Sequence, residues 1–132
     1  MINLSNYKIL VADDDPDMLA FIRGLLEDNG VNVFTANNGI DAFKAAKIII
    51  PDLITLDISM PGMDGGEVYK KLKSDGELQN IPVLIISGKP ELRGLIYKRD
   101  IPHPEGYLDK PVDDKTLLLN IRKILTLVDH KS

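Results

Sequence analysis

Side chains that could bind a metal ion or a phosphate group follow short apolar stretches at four points of the chain. They are Asp13 and Asp14 after residues 8–12, Asp57 after 52–56, Ser87 at the end of 81–87, and Lys110 just past 105–108. Carboxylates bind hard cations, and a lysine ammonium binds phosphate oxygens as a point charge. These residue types predict metal-assisted phosphoryl chemistry if the fold brings them together.

The apolar stretches have the length and the β-branched content of strands. Strands are predicted at residues 8–12, 31–36, 52–56, 81–87 and 105–108. A first helix is predicted from an apolar face of Met18, Ile22, Leu25 and Leu26, with Gly30 placed to end it. Helical periodicity also predicts helices over residues 38–47, 64–75 and 113–129. Five strands alternating with helices predict an α/β fold with a parallel sheet covered on both faces. Because parallel strands end at one edge, the candidate side chains should converge there.

The three consecutive aspartates divide into two roles. Asp15, followed by Pro16, is typical of a helix N-cap with proline at the first helical position. Asp13 and Asp14 on their own are more typical of a solvated turn than of a metal site. Their coincidence with Asp57 at one predicted edge favours the site. Three bare carboxylates would repel one another and an incoming phosphate, so the cluster predicts a divalent cation such as Mg²⁺.

Four segments resemble the motifs of the receiver domain of two-component response regulators, in the same order and at similar spacings. They are ILVADDDPDM, LITLDISMPGMDG, LIISGK and GYLDKP. The resemblance spans essentially the whole chain and implies a single receiver domain over residues 1–132. It also implies a flavodoxin-like fold with strand order 2-1-3-4-5.

The resemblance implies a role for each candidate residue. It implies that Asp57 is the phosphoacceptor and a Mg²⁺ ligand, and that Asp13, Asp14 and the Ser59 backbone carbonyl are further Mg²⁺ ligands, with Mn²⁺ as a substitute. Ser87 and Lys110 would bind the phosphoryl group, and Tyr107 would be the switch aromatic. Ser59 and Lys89 would tune the lifetime of the phosphoryl group. It further implies a cis peptide bond before Pro111. Taken singly, Lys110 would be an ordinary surface lysine, Ser87 a hydroxyl bonded to backbone, and Tyr107 a half-buried ring with its hydroxyl in water.

Some segments depart from the family pattern, and some residues are expected to be exposed on helices. Residues 89–107 lack the alanine-rich fourth helix usual in receivers, and Pro102 and Pro104 forbid a regular helix there, so a short or displaced helix is expected, with His103 in an exposed loop. In the last helix, Leu119 and Leu127 fall outside the apolar arc. A cluster of Lys70, Lys71 and Lys73 predicts a solvated helix face.

Composition limits the functional classes. The net charge of -4 argues against general attraction to nucleic acid or to an anionic membrane, and the absence of cysteine excludes disulfides and thiolate metal sites. No apolar run approaches the roughly 20 residues of a membrane span, and the N-terminus has no secretory pattern. A cytoplasmic location is therefore expected.

The sequence thus predicts a signalling protein rather than an enzyme, with only self-phosphorylation and autodephosphorylation of its own. The expected donor is a histidine kinase or a histidine phosphotransfer protein, the downstream protein is unknown, and a monomer or weak dimer is expected. The alternative is a degenerate receiver that binds proteins independently of phosphorylation. A haloacid-dehalogenase-type phosphatase would need an acid where Ser59 stands, and a flavin carrier would not use ADDDPD to cradle phosphate. Whether the chain stands alone or belongs to a larger regulator or hybrid kinase is left open.

Overall fold

The computed structural model describes residues 2–60, 65–98 and 100–131. Five parallel strands form one sheet in the order β2-β1-β3-β4-β5. The strands are β1 (Lys8–Ala12), β2 (Asn32–Ala36), β3 (Leu53–Leu56), β4 (Val83–Ser87) and β5 (Gly106–Asp109). The helices are α1 (Pro16–Asp28), α2 (Gly39–Ile49), α3 (Gly65–Ser74) and α4 (Asp114–Lys131), with a 3₁₀ helix at Pro90–Leu95. The predicted parallel sheet and its strand order are confirmed.

The sheet is covered on both faces, and its central strands are buried at residues 9–12, 53–56 and 83–87. In β1, Leu10 and Ala12 join one core cluster, which also contains buried residues of α2 and α3. Ile9 and Val11 point to the opposite cluster, which contains buried residues of α1 and α4. This alternation follows from the two-residue period of a strand. A strand buried on both sides appears in the sequence as a continuous apolar run.

The predicted helix boundaries have the expected chemical causes. The Asp15 carboxylate accepts a hydrogen bond from the Asp17 N–H at 2.9 Å and caps α1, as predicted. Gly30 follows the end of α1 with φ +86°, a left-handed conformation that glycine adopts without a steric penalty. Asn38 caps α2 by accepting from the Asp41 N–H at 2.8 Å. The predicted start of the third helix at residue 64 lies outside the described residues.

The fourth helix of the predicted series is short, as expected. It consists of one 3₁₀ helix of six residues, Pro90–Leu95, and its end is tied to the core by the fully buried Ile96. Pro102 and Pro104 lie outside regular secondary structure, and His103 between them is exposed. The expectation that Leu119 and Leu127 lie outside the buried arc of α4 is confirmed, since they are 67% and 55% exposed.

The expectation of a solvated lysine face on α3 holds for Lys70 and Lys71 and is wrong for Lys73. Lys73 is buried, and its ammonium donates to the Ile81 carbonyl at 3.0 Å and lies 3.5 Å from Glu105 Oε1. Burial lowers the pKa of Lys73, and the Glu105 carboxylate offsets part of that shift. Lys73 follows the fully buried Tyr69 by four residues and so lies on the same side of the helix.

We expect Lys73→Ala to lower the free energy of unfolding by about 2 kcal/mol, because a buried carbonyl loses its donor and a cavity replaces the side chain. Lys73→Met should cost less, since methionine retains most of the apolar stem. Urea unfolding of both variants measures the difference. Lys70→Ala, at an exposed position of the same helix, serves as the control and should change stability by less than about 0.5 kcal/mol. An equal loss at both lysines would contradict this role for Lys73.

A β-branched residue occupies a left-handed conformation directly after α2. Ile50 has φ +48° and ψ +68°, and its N–H closes the helix by donating to the Ala46 carbonyl at 2.9 Å. This conformation costs L-residues about 1–2 kcal/mol and is normally taken by glycine. The strain therefore lies in the backbone of Ile50 and does not depend on its side-chain contacts.

We therefore expect Ile50→Gly to be more stable than Ile50→Ala by about 1 kcal/mol, the reverse of the usual order. Comparing two small residues removes the effect of the lost side chain. The same pair at Ile48, inside α2, is the control, where alanine should be the more stable by about 1 kcal/mol. Thermal unfolding of the four variants gives both differences. If the alanine variant is more stable than the glycine variant at both positions, residue 50 is not strained.

Candidate functional site

Backbone hydrogen bonds continue past the carboxyl ends of the strands, where they join β1 to β2, β3 to β1 and β5 to β4. The Asp13 N–H donates to the Ala36 carbonyl at 3.0 Å, and the Asp57 N–H donates to the Ala12 carbonyl at 2.9 Å. On the other side, the Lys110 N–H donates to the Ser87 carbonyl at 2.8 Å. Asp13, Asp57 and Lys110 are thus held by hydrogen bonds that extend the sheet.

The predicted acidic cluster is present. Asp13, Asp14 and Asp57 each offer one carboxylate oxygen, and these oxygens lie within 4.8 Å of one another. Asp13 and Asp57 are buried at 1% and 2% exposure, while Asp14 is exposed to solvent. The cluster therefore has two fixed carboxylates at its floor and one at its open side.

The two oxygens of Asp57 have different surroundings. Oδ1 accepts two hydrogen bonds from Ser59, one from its N–H at 2.9 Å and one from its hydroxyl at 2.7 Å. Oδ2 lies 3.4 Å from the Lys110 ammonium. Burial raises the pKa of Asp57, but the Ser59 donors and the Lys110 charge outweigh it and hold the pKa below its ordinary value. Asp57 is an ionised carboxylate with one oxygen fixed and the other facing a cation.

Lys110 joins the two buried carboxylates. Its ammonium lies 2.9 Å from Asp13 Oδ2, closer than to Asp57, and their charges raise its pKa although burial acts in the opposite direction. Burial and the charge of Asp57 raise the pKa of Asp13, while the Asp15 N–H and Lys110 offset part of the rise. The Lys110–Pro111 peptide bond is cis, as the resemblance implies.

Ser87 and Tyr107 lie on the side of the site toward β5. Ser87 is fully buried, and its hydroxyl accepts a hydrogen bond from the Lys89 N–H at 3.1 Å, whereas the Lys89 residue itself is exposed. The Tyr107 hydroxyl is also buried, without a hydrogen-bond partner among the described residues. Burial raises the pKa of Tyr107, and the nearby Ser87 hydroxyl lowers it in part. Tyr107 is half-buried, but its hydroxyl is not in water.

The structure brings Asp13, Asp14, Asp57, Ser59 and Lys110 into one group, with Ser87 beside it. The contact that sequence reasoning missed is the one from the Ser59 hydroxyl to Asp57. A serine two residues after a carboxylate is a common local hydrogen-bonding pattern, and this spacing was the available signal.

The oxygens of the cluster suit a magnesium ion. Mg²⁺ takes oxygen ligands at about 2.1 Å, so two ligands of one ion lie at most about 4.2 Å apart. The spread of 4.8 Å among the three carboxylates is only slightly larger, and one retained water or a small rotation of exposed Asp14 bridges it. The donor set, with no sulfur or imidazole, also favours a hard cation.

Comparison with known proteins agrees with this geometry. The family model described as the response regulator receiver domain matches residues 9–122. The protein PilH of Pseudomonas aeruginosa is 36% identical over 119 residues, which cover 89% of this chain and 97% of PilH. The chain belongs to the response regulator receiver domain family.

Other relatives extend well beyond the region that this chain matches. The chain is 32% identical to hybrid signal transduction histidine kinase D of Dictyostelium discoideum over 93% of its own length, but spans only 8% of that protein. It spans about half of several related transcriptional regulators. Among solved structures, the chemotaxis response regulator CheY4 of Vibrio cholerae superposes with a TM-score of 0.80 at 28% identity, covering 89% of this chain and 98% of that one.

The family membership fixes the class of protein. Receiver domains are signalling modules of two-component systems rather than classical enzymes, and they interact with histidine kinases or phosphotransfer proteins. Among the described residues, no helix combines the length and the apolar character that crossing a membrane requires.

Proposed function

We propose that this receiver accepts a phosphoryl group on Asp57, in a Mg²⁺-dependent reaction, from a phosphohistidine of a histidine kinase or a histidine phosphotransfer protein. The observation that carries the proposal is the pairing of an ionised, buried Asp57 with the Lys110 ammonium, inside a group of three carboxylates. The state of Asp57 then controls a downstream protein through a change of conformation.

Asp57 Oδ2 is the attacking oxygen. Oδ1 is engaged by two Ser59 donors, so its lone pairs are less available, whereas Oδ2 faces the ammonium that would meet the phosphoryl oxygens. A bond forms between Oδ2 and phosphorus, the phosphorus–nitrogen bond of the phosphohistidine breaks, and its electron pair returns to the imidazole. The site contributes positioning and charge, which dominate catalysis of phosphoryl transfer.

Asp13, Asp14, Asp57 and the backbone carbonyl of Ser59 would hold the magnesium ion, with Mn²⁺ as a substitute. When bound, the ion neutralises the acidic cluster and the phosphoryl oxygens. Lys110 is shared between Asp13 and Asp57, and it would become available to the phosphoryl group if a bound metal ion neutralised Asp13 in its place.

The remaining residues would act after Asp57 has been phosphorylated. The Ser87 hydroxyl, held by the Lys89 N–H, would donate to the phosphoryl group, and Tyr107 lies beside it as the aromatic that changes position with it. Ser59 and Lys89 flank the site and would affect how long the phosphoryl group persists. The alternative, a receiver that binds proteins without phosphorylation, is less favoured because Asp13, Asp57, Ser59 and Lys110 are connected by hydrogen bonds and Asp14 lies beside them.

Incubation with a small phosphodonor such as acetyl phosphate tests the proposal. We expect one phosphoryl group to be added per chain, detected by intact mass, only when Mg²⁺ or Mn²⁺ is present. Mg²⁺ at millimolar concentration should also raise the melting temperature, since a ligand of the native state stabilises it. No incorporation from small donors or from a panel of phosphorylated kinases would favour the phosphorylation-independent alternative.

A further inference from the structure

One arginine lies against two tyrosine rings beside the candidate site. The Arg93 guanidinium carbon is 4.6 Å from the centre of the Tyr107 ring and 4.9 Å from that of Tyr97. The two rings are 5.9 Å apart, and Tyr97 also meets the His103 ring edge-on at 4.9 Å. Arg93 belongs to the 3₁₀ helix and Tyr107 to β5, so this side chain links two elements that are separate in the sequence.

The position of Tyr107 needs a compensating interaction. Its hydroxyl is buried without a hydrogen-bond partner among the described residues, which is unfavourable compared with contact with water. Packing of the ring against the core cluster of β3, β4 and α3 supplies part of the compensation. A cation over an aromatic face supplies more, and a planar guanidinium can stack on two rings at once where a lysine ammonium cannot.

We propose that Arg93 is a positioning residue that keeps the Tyr107 hydroxyl buried beside Ser87 and ties this ring to residues 90–97. The inference rests on the proposed function in assigning Ser87 and Tyr107 to the response. A displacement of Tyr107 would then move the 3₁₀ helix through the guanidinium. That segment is suited to movement, since a short 3₁₀ helix has poorer hydrogen-bond geometry than an α-helix.

The ring signals of the four tyrosines, observed by NMR with carbon-13-labelled tyrosine, test the proposal in the protein without a phosphodonor. Tyr107→Phe identifies the Tyr107 signal. We expect Arg93→Gln to move this signal toward that of an exposed tyrosine, with a shift of about tenfold in the ratio of buried to exposed ring from the loss of two cation–aromatic contacts. Arg93→Lys should give a smaller shift in the same direction.

Lys98→Gln is the matched control, because it removes a positive charge at an exposed position directly after residues 90–97. It should leave the Tyr107 signal unchanged. An unchanged signal in Arg93→Gln, or an equal change in Lys98→Gln, would overturn the proposal. If Arg93→Gln fails to fold, Arg93→Lys is used instead. An unchanged Tyr107 signal in that variant would also overturn the proposal.

Addition of a phosphodonor and Mg²⁺ separates this inference from the proposed function. In the wild-type protein, the signals of Tyr107 and Tyr97 should change together. In Arg93→Gln, Tyr107 should still respond while Tyr97 no longer does, which a merely structural role of Arg93 would not produce. A joint response that persists in Arg93→Gln would overturn the link. If no phosphoryl group is incorporated, the proposed function fails, whereas the measurement without donor still decides the role of Arg93.

Discussion

Asp57→Asn is expected to abolish phosphoryl incorporation from a small phosphodonor while leaving the fold intact. Asparagine has the same shape, and its side-chain oxygen can still accept the two hydrogen bonds from Ser59. It lacks the charge and the second oxygen that faces Lys110, so no nucleophile remains at that position. Intact mass after incubation with donor and Mg²⁺ should remain that of the unmodified chain.

Two further variants make the result specific. Asp28→Asn, which neutralises an exposed carboxylate at the end of α1, should be labelled like the wild-type protein. Asp13→Asn should be labelled more slowly but still at Asp57, because it removes a candidate metal ligand and not the acceptor. Labelling of Asp57→Asn at the wild-type rate would place the acceptor at another residue.

The sheet and the location of the candidate site were predictable from the sequence because both depend on apolar runs. A parallel strand buried on both faces has a continuous apolar sequence, and the residue after it necessarily lies at the ligand-binding edge. Asp13 and Asp57 each follow such a run, whereas Lys110 follows the half-buried edge strand β5. Strand β1 agrees with the prediction at both ends, and the other strands agree within two residues.

Contacts that depend on side-chain direction were not predictable in the same way. Lys73 belongs to a lysine-rich turn, and only the packing of Tyr69 decides that it faces the core. The contact of Arg93 with two rings depends on where the 3₁₀ helix lies relative to β5, and the sequence between these elements contains no periodic pattern. Composition alone indicated that the fourth helix would be short, but not which side chains it would bring to Tyr107.

The electrostatic difference between the two buried carboxylates also required the structure. Asp13 and Asp57 both follow apolar strands and are about equally buried, yet the pKa of Asp13 is raised and that of Asp57 is lowered. The difference arises mainly from Ser59, whose two donors are directed at Asp57. The Ser59 donors stabilise the charged form of Asp57, which agrees with its proposed role as nucleophile.

Lys110→Met is expected to lower the free energy of unfolding by about 3 kcal/mol in the absence of divalent cations, since it leaves two buried carboxylates without their cation. The side chain of Lys110 is 23% exposed, so we take the lower end of the range for broken buried pairs. The loss should become smaller with millimolar Mg²⁺, because the metal ion compensates the same carboxylates.

Urea unfolding with EDTA and with Mg²⁺ measures this effect, and phosphoryl incorporation should also slow by about 100-fold because the ammonium no longer stabilises the transferred group. Lys115→Met, at an exposed position of α4, is the control and should alter neither stability nor labelling. A loss of stability for Lys110→Met that is the same with and without Mg²⁺ would mean that the lysine and the metal ion do not share Asp13 and Asp57. The proposal that the Lys110 ammonium and the metal ion compete for this site would then be wrong, although the acceptor role of Asp57 would stand.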